Sequence, residues 1–275
     1  MILVDASLIL AAWLMLHRAG EKTVALEGGL ACLVILSSLT LPLLGNVAAL
    51  VVCLCVVAVV AFMADRFAVL GAFCLAAALI LKPQNAGPVW LYFLLAGGVY
   101  RKRAGQTLAL FLLLSVPGVL WTMQTAPHWA SELSSNLSVA AAHGGQSDPT
   151  PTATSNGSAA MLTSLQTVYS FFWSDPQRYN LATCLTCAPL LLAWAWTVLR
   201  SRVTAQNTWL ALAAISALSL LPVYHRPHDA KIMLLAIPAC GLLWTAGGRS
   251  RWPALVLTAG SILLNSELLI HFLVE

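Results

Sequence analysis

The sequence predicts an all-α, polytopic membrane protein of about ten transmembrane helices, forming a single membrane domain over residues 1–275. Three observations predict it. Sixty per cent of the residues are hydrophobic and 9% are charged, at a mean hydropathy of +0.84, a balance that excludes an ordinary soluble domain. The apolar residues fall in runs close to the roughly 20 residues that a bilayer core requires. The lysines and arginines gather in alternate connections between those runs.

In order, the runs are 2–16, 23–43, 46–63, 67–81, 87–100 and 104–123, then 182–199, 206–222, 231–246 and 253–272. They divide the chain into N-terminal helices (1–123), a long loop (124–181) and C-terminal helices (182–275). The runs 67–81 and 87–100 are short, and form either two short spans or a re-entrant pair. Leu, Ala and Val occupy all sides of each run, as in helices surrounded by lipid and protein. The seven cysteines (32, 53, 55, 74, 184, 187 and 240) lie almost entirely inside apolar runs, where they act as small hydrophobes and imply no disulfide framework. Cys184-Leu-Thr-Cys187 has redox-like spacing but begins a hydrophobic helix, without a thioredoxin-like context. No cationic leader precedes the first run, so no cleaved signal peptide is expected.

Orientation follows from the basic residues. With Arg101-Lys102-Arg103 cytoplasmic, Arg18, Lys22, Arg66, Arg200, Arg202, Arg249 and Arg251 share that side. Ten basic residues are then inside and four outside: Lys82, Arg178, Arg226 and Lys231. Both termini fall outside, as do Gly45-Asn46, Lys82-Pro83-Gln84-Asn85 and the segment 222–231. The long loop is outside too. Its centre, 141–160, is poor in bulky apolar residues and expected to be mobile. Its edges, around His128-Trp129 and Tyr169–Trp173, read as short amphipathic pieces, either aromatic anchors or a lid over a lipid-linked substrate.

The polar stretch Pro222-Val-Tyr-His-Arg-Pro-His-Asp-Ala-Lys231 stands between two apolar runs, a costly position unless water or a polar ligand reaches it. Tyr224, His225, Arg226 and Asp229 offer a stacking ring, a proton carrier, a permanent cation and a carboxylate. Charge-assisted hydrogen bonds make Arg226 and Lys82 suited to phosphate. The competing reading is a neutralised loop, with Asp229 paired to Arg226 or Lys231. Lys82 has its own alternative as a snorkelling lysine at a helix end. His225, His228 and Asp229 have metal-like spacing, but no further ligand joins them, and no metal is expected.

These residues resemble glycosyltransferase family 87, within the GT-C superfamily of membrane glycosyltransferases. The resemblance runs over about residues 40–245: a Gly-Asn pair opening a helix, a run ending Leu-Lys-Pro-Gln, a basic turn, a long outer loop, and Tyr-His-Arg-x-x-Asp. It implies a polyprenyl-phosphate-linked donor sugar, often mannose, used on the outer face of a bacterial-type plasma membrane. By the same resemblance Lys82 and Gln84 match the Lys-Pro-Gln element. His225, Arg226 and Asp229 match the later element, whose basic members lie near the lipid phosphate. The implied partners are membrane lipid, the polyprenyl-phosphate sugar and a glycolipid or glycan acceptor. No cofactor and no nucleic acid partner is expected. The superfamily's catalytic carboxylate usually stands in a first outer loop behind an N-terminal helix, and this sequence is expected to lack that part. The outer carboxylates that remain are Asp5, Glu132, Asp148, Asp175 and Asp229, with Asp229 and Asp5 the candidate catalytic groups. Asp5 also reads as a helix-start residue favoured by the dipole.

Two other classes stay open. A transporter predicts paired repeats and charges at mid-depth; no repeat is visible, and apart from Asp5 at the start of the first run, only Glu27 and Glu267 are acidic residues within runs. A non-catalytic membrane scaffold is the third reading, together with an inactive or truncated form of the enzyme that binds a lipid phosphate but transfers sugar poorly or not at all.

Overall fold

The computed structural model describes residues 2–19, 26–31, 46–142, 145, 147–150, 164–222, 225–226 and 228–265. Among these residues the chain is helical throughout, with no strand. In chain order the helices are α1 (Ile2–Ala19), α2 (Ala48–Met63), α3 (Ala68–Leu81), α4 (Pro83–Ala96), α5 (Gly98–Thr125) and α6 (Trp129–Ala141). Then follow α7 (Leu165–Ser170), α8 (Pro176–Arg200), α9 (Ala205–Leu218), a 3-10 segment (Asp229–Ala236), α10 (Ile237–Ala246) and α11 (Arg251–Asn265). Residues 26–31 are helical as well.

Among the described residues three helices are long and apolar enough to cross a membrane: Gly98–Thr125, Pro176–Arg200 and Asp229–Ala246. The shorter α2 and α3 are apolar too. Pro83 and Gly97 divide the apolar sequence between residues 67 and 123 at other points than the runs themselves mark. Of the expected spans 23–43 and 253–272, the residues 23–25, 32–43 and 266–272 lie outside the described residues.

Burial sorts the helices into centre and rim. Only 11% of the most apolar stretch of α5 and 22% of that of α8 is buried, against 72% for Asp229–Ala246. The rim helices show Leu112, Leu113, Leu120 and Trp121 of α5, and Leu185, Leu192 and Trp196 of α8, to the surroundings. Leucines exposed along the length of a helix are at home in hydrocarbon and not in water. At the centre, α2 buries Val51, Val52, Cys55, Val56 and Val59 against α1 and α3, and it also meets the 3-10 segment. That segment packs in addition on α9, α11 and α1.

Two proline-directed breaks position the candidate site. Pro83 disfavours helical backbone at the residue before it, so α3 stops at Lys82 (φ −156°, ψ 79°) and α4 restarts at once. Lys82 thus serves both helices, its N–H donating to Ala78 O and its carbonyl accepting from Asn85 N and Ala86 N. The expected short spans 67–81 and 87–100 are therefore α3 and α4, joined by one residue. In the second break, Pro238 lacks the N–H that would close an α-helical turn onto Leu234. The chain ahead of it takes the tighter 3-10 form, ending in a bond from the Ile237 N–H to Leu234 O.

The long loop carries two helices, α6 and α7, at the edges expected to be amphipathic. Most of its centre lies outside the described residues; 148–150 are buried. There Asp148 Oδ1 accepts from Thr150 N (3.0 Å) and Thr150 Oγ1 (2.8 Å), and Ser170 Oγ donates to Pro149 O (2.7 Å).

Candidate functional site

Asp229, the first residue of the 3-10 segment, is 3% exposed. An isolated carboxylate at that depth would be prohibitively costly, so its partners define the site. Lys82 makes an ion pair with Oδ1 from the α3–α4 break. On the other oxygen, His225 Nδ1 stands 3.5 Å from Oδ2, and the backbone N–H of Arg226 donates to Oδ2 at 3.2 Å. Asn85, one turn past Lys82, reaches the backbone carbonyl of Asp229 at 3.5 Å.

Two histidines complete the cluster with opposite hydrogen-bonding states. His225 Nε2 lies 3.1 Å from Ser219 O. A carbonyl only accepts, so Nε2 carries the proton there. Nδ1 is then the ring atom turned to Asp229. For His228 the logic reverses. Asn46 Oδ1 accepts from Ala48 N at the start of α2, which fixes the amide so that Asn46 Nδ2 faces His228 Nε2 at 2.7 Å. An amide nitrogen only donates, so Nε2 accepts and the ring is neutral. Burial pushes His228 down to about 4, with Lys82, Arg226 and Lys231 adding to the effect and Asp229 opposing it.

The structure therefore brings Lys82, His225, the backbone of Arg226 and Asp229 together, with Asn46, Asn85 and His228 around them. The Arg226 side chain is half-buried. Gln84 is exposed and does not face the cluster; the amide that does is Asn85. Helical phase explains the exchange. With α4 beginning at Pro83, positions 85, 89, 92 and 93 form its buried face, and 84 lies about 100° away. Tyr224 and Gly45 lie outside the described residues. Asp229 forms its ion pair with Lys82, which was not among its expected partners. Lys231, fully buried, instead donates to the carbonyl of Asn265 at 3.2 Å.

The other candidate carboxylates have local roles. Asp5 sits half-buried in the first turn of α1, and among the described residues no hydrogen bond or ion pair joins it to the cluster. Asp175 caps α8 by accepting from Gln177 N (2.9 Å), and Glu132 occupies the exposed first turn of α6. Asp148 closes its own turn. Among the described residues no group of three or more His, Cys, Asp or Glu side chains could hold a metal ion.

An apolar groove of about 470 Å³ runs between the end of α3 and the second half of α5. Leu79, Ile80 and Pro83, which flank Lys82 in sequence, form one wall, and Phe111, Leu114 and Val119 another. Trp129 of α6 also lines it. Of the ion pair, Lys82 is the more accessible member, its side chain 13% exposed against 4% for Asp229. The arrangement can present a cation to an anion arriving beside an apolar groove, and it holds a carboxylate ready behind that cation. Comparison with protein-family models, with curated proteins and with solved structures returns no match to this chain, so the chemistry of the site rests on its own geometry.

Proposed function

We propose that this chain is a multi-pass membrane glycosyltransferase. It moves a sugar, mannose by the family resemblance, from a polyprenyl phosphate to a glycolipid or glycan acceptor. The site faces the extracytoplasmic side of a bacterial-type plasma membrane, and both termini lie on that side. The observation that carries this reading is the meeting of Lys82 with Asp229 and His225, where Pro83, the next residue after Lys82, lines an apolar groove. A lipid phosphate is the ligand whose two halves match a partly exposed cation and an apolar trough.

Lys82 is held by Asp229 in the unliganded chain. An incoming phosphate competes for the ammonium through charge-assisted hydrogen bonds, with Arg226 supplying a second cation. Asp229 is thereby released as a base. The acceptor oxygen attacks the anomeric carbon, its proton passes to the Asp229 carboxylate, and the bond from sugar to phosphate breaks with its electrons on the phosphate oxygen. Lys82 and Arg226 stabilise the charge that develops there. Asp5 has no part in this scheme.

Transfer of radiolabel from a polyprenyl-phosphate mannose to co-embedded lipid acceptors, by the full chain in nanodiscs, tests the proposal. Lys82→Met should lower transfer by about a hundredfold, and Asp229→Asn should abolish it while donor still binds. Label that stays on the donor with the wild-type chain, or transfer indifferent to both substitutions, would overturn the enzymatic reading.

A further inference from the structure

At the end of the bundle opposite the polar cluster, a second pocket of about 530 Å³ opens between α1, α2 and α3. Its walls are Leu14, Val57, Val60, Ala61 and Leu70, and Arg18 and Arg66 stand at its lining as the charged members. Both arginines are exposed, and neither has a carboxylate partner among the described residues. The acid nearest Arg66 in sequence, Asp65, is already paired with Arg103, and Glu21, the acid nearest Arg18, lies outside the described residues. Two guanidinium groups without a carboxylate partner among the described residues, set over an apolar hollow, form an amphipathic site suited to an anion above and hydrocarbon below.

Aromatic residues mark the same level. Trp13 is 58% exposed and stacks on His17 (centroids 5.7 Å apart), one turn from Arg18. Phe67, adjacent to Arg66, lines the pocket and is 76% exposed. It is held at φ 55°, and Asp65 at φ 53°, so the residues on both sides of Arg66 adopt left-handed backbone. Exposed Trp and Phe flanking basic residues at a helix end belong to the headgroup layer of a bilayer.

We infer that this pocket is a binding site for one anionic phospholipid, its phosphate between Arg18 and Arg66 and the start of an acyl chain against Leu14, Val57, Val60 and Leu70. The site is separate from the polar cluster and does not depend on any transferase activity. Basic pockets between helices on the side richer in arginine are where anionic lipid headgroups are recognised.

Native mass spectrometry of the detergent-purified full chain tests it, with dioleoyl phosphatidylglycerol as ligand and dioleoyl phosphatidylcholine as the zwitterionic control. The wild-type chain should retain one phosphatidylglycerol in preference to phosphatidylcholine. Arg18→Gln/Arg66→Gln should weaken that adduct about thirtyfold, on the scale of about fivefold per basic residue. Lys102→Gln/Arg249→Gln removes the same charge from exposed positions outside the pocket and should leave the adduct in place. Ala64→Phe, which keeps both arginines and fills the pocket mouth, should weaken it as well. Equal losses in the two double variants, or an adduct unmoved by Ala64→Phe, would reduce the effect to general surface charge and overturn the inference.

Discussion

Lys82 ends one helix, opens the next, and gives its ammonium to a carboxylate far along the chain. Removing one member of a pair buried this deeply leaves the other charge without compensation. Lys82→Met and Asp229→Leu should therefore each destabilise the folded chain by about 3 kcal/mol or more, and the double variant should recover most of that loss. Thermal melts in detergent give the comparison; strictly additive losses would show that the two side chains do not interact. His228 gives a pH test. Its folded-state pKa is lowered from 6.5 to about 4, so between those values the unfolded chain binds more protons than the folded one. Stability is then complete above about pH 6.5 and lost as the pH falls toward 4. Wild-type chain should melt progressively earlier over that window, and His228→Gln should flatten the slope; an identical slope in the variant would assign the acid sensitivity elsewhere. The sequence announced these polar residues, because charges and amides among apolar runs are conspicuous. It could not announce their pairings. The sequence offered Asp229 two basic partners, Arg226 and Lys231, and the packing of the 3-10 segment on α2 brings it a third, Lys82.

At the level of elements, apolar run length placed most helices but not their ends. Pro83 starts α4 four residues before the run 87–100 begins, and that shift in phase exchanges Gln84 for Asn85 at the site. The 3-10 form of Asp229–Ala236 was equally out of reach, since its cause, Pro238, also reads as an ordinary first-turn proline. The α2–α3 contact supports its own prediction. A Cβ at Gly71 would stand 2.8 Å from a ring carbon of Phe62 and 3.1 Å from the Cβ of Ala61. Phe62 cannot easily yield, being held edge-on by Phe93 (4.9 Å between centroids) and covered by the Arg103 guanidinium. Gly71→Ala should cost about 1–3 kcal/mol through overpacking, whereas Gly118→Ala, where an added Cβ meets nothing within 4 Å, should be close to neutral. Melting temperatures that rank the two the other way would place the tight contact elsewhere.

For the whole molecule, alternation of helix direction assigns the polar cluster to one end and the arginine-rich turns to the other. Contacts at the arginine-rich end agree with that division: Arg103 pairs with Asp65, and Arg101 donates to Leu94 O, tying the α2–α3 and α4–α5 turns to the same level. At the opposite end, Asn46 reaches His228 and Leu165 N donates to Leu221 O. Cysteines introduced at Ser147 and Ser201 of the full chain in intact cells should label from opposite sides of the membrane, Ser147 from outside. Labelling of both from one side would remove the orientation. The most direct measurement of the central claim compares a polyprenyl phosphate with the polyprenol of the same chain length, each titrated against the purified chain in nanodiscs. Saturable binding of the phosphate, at least tenfold tighter than the alcohol and lost in the folded Lys82→Met/Asp229→Leu variant, is the expected result. Equal affinity for the phosphate and the alcohol would contradict a phosphate site at Lys82.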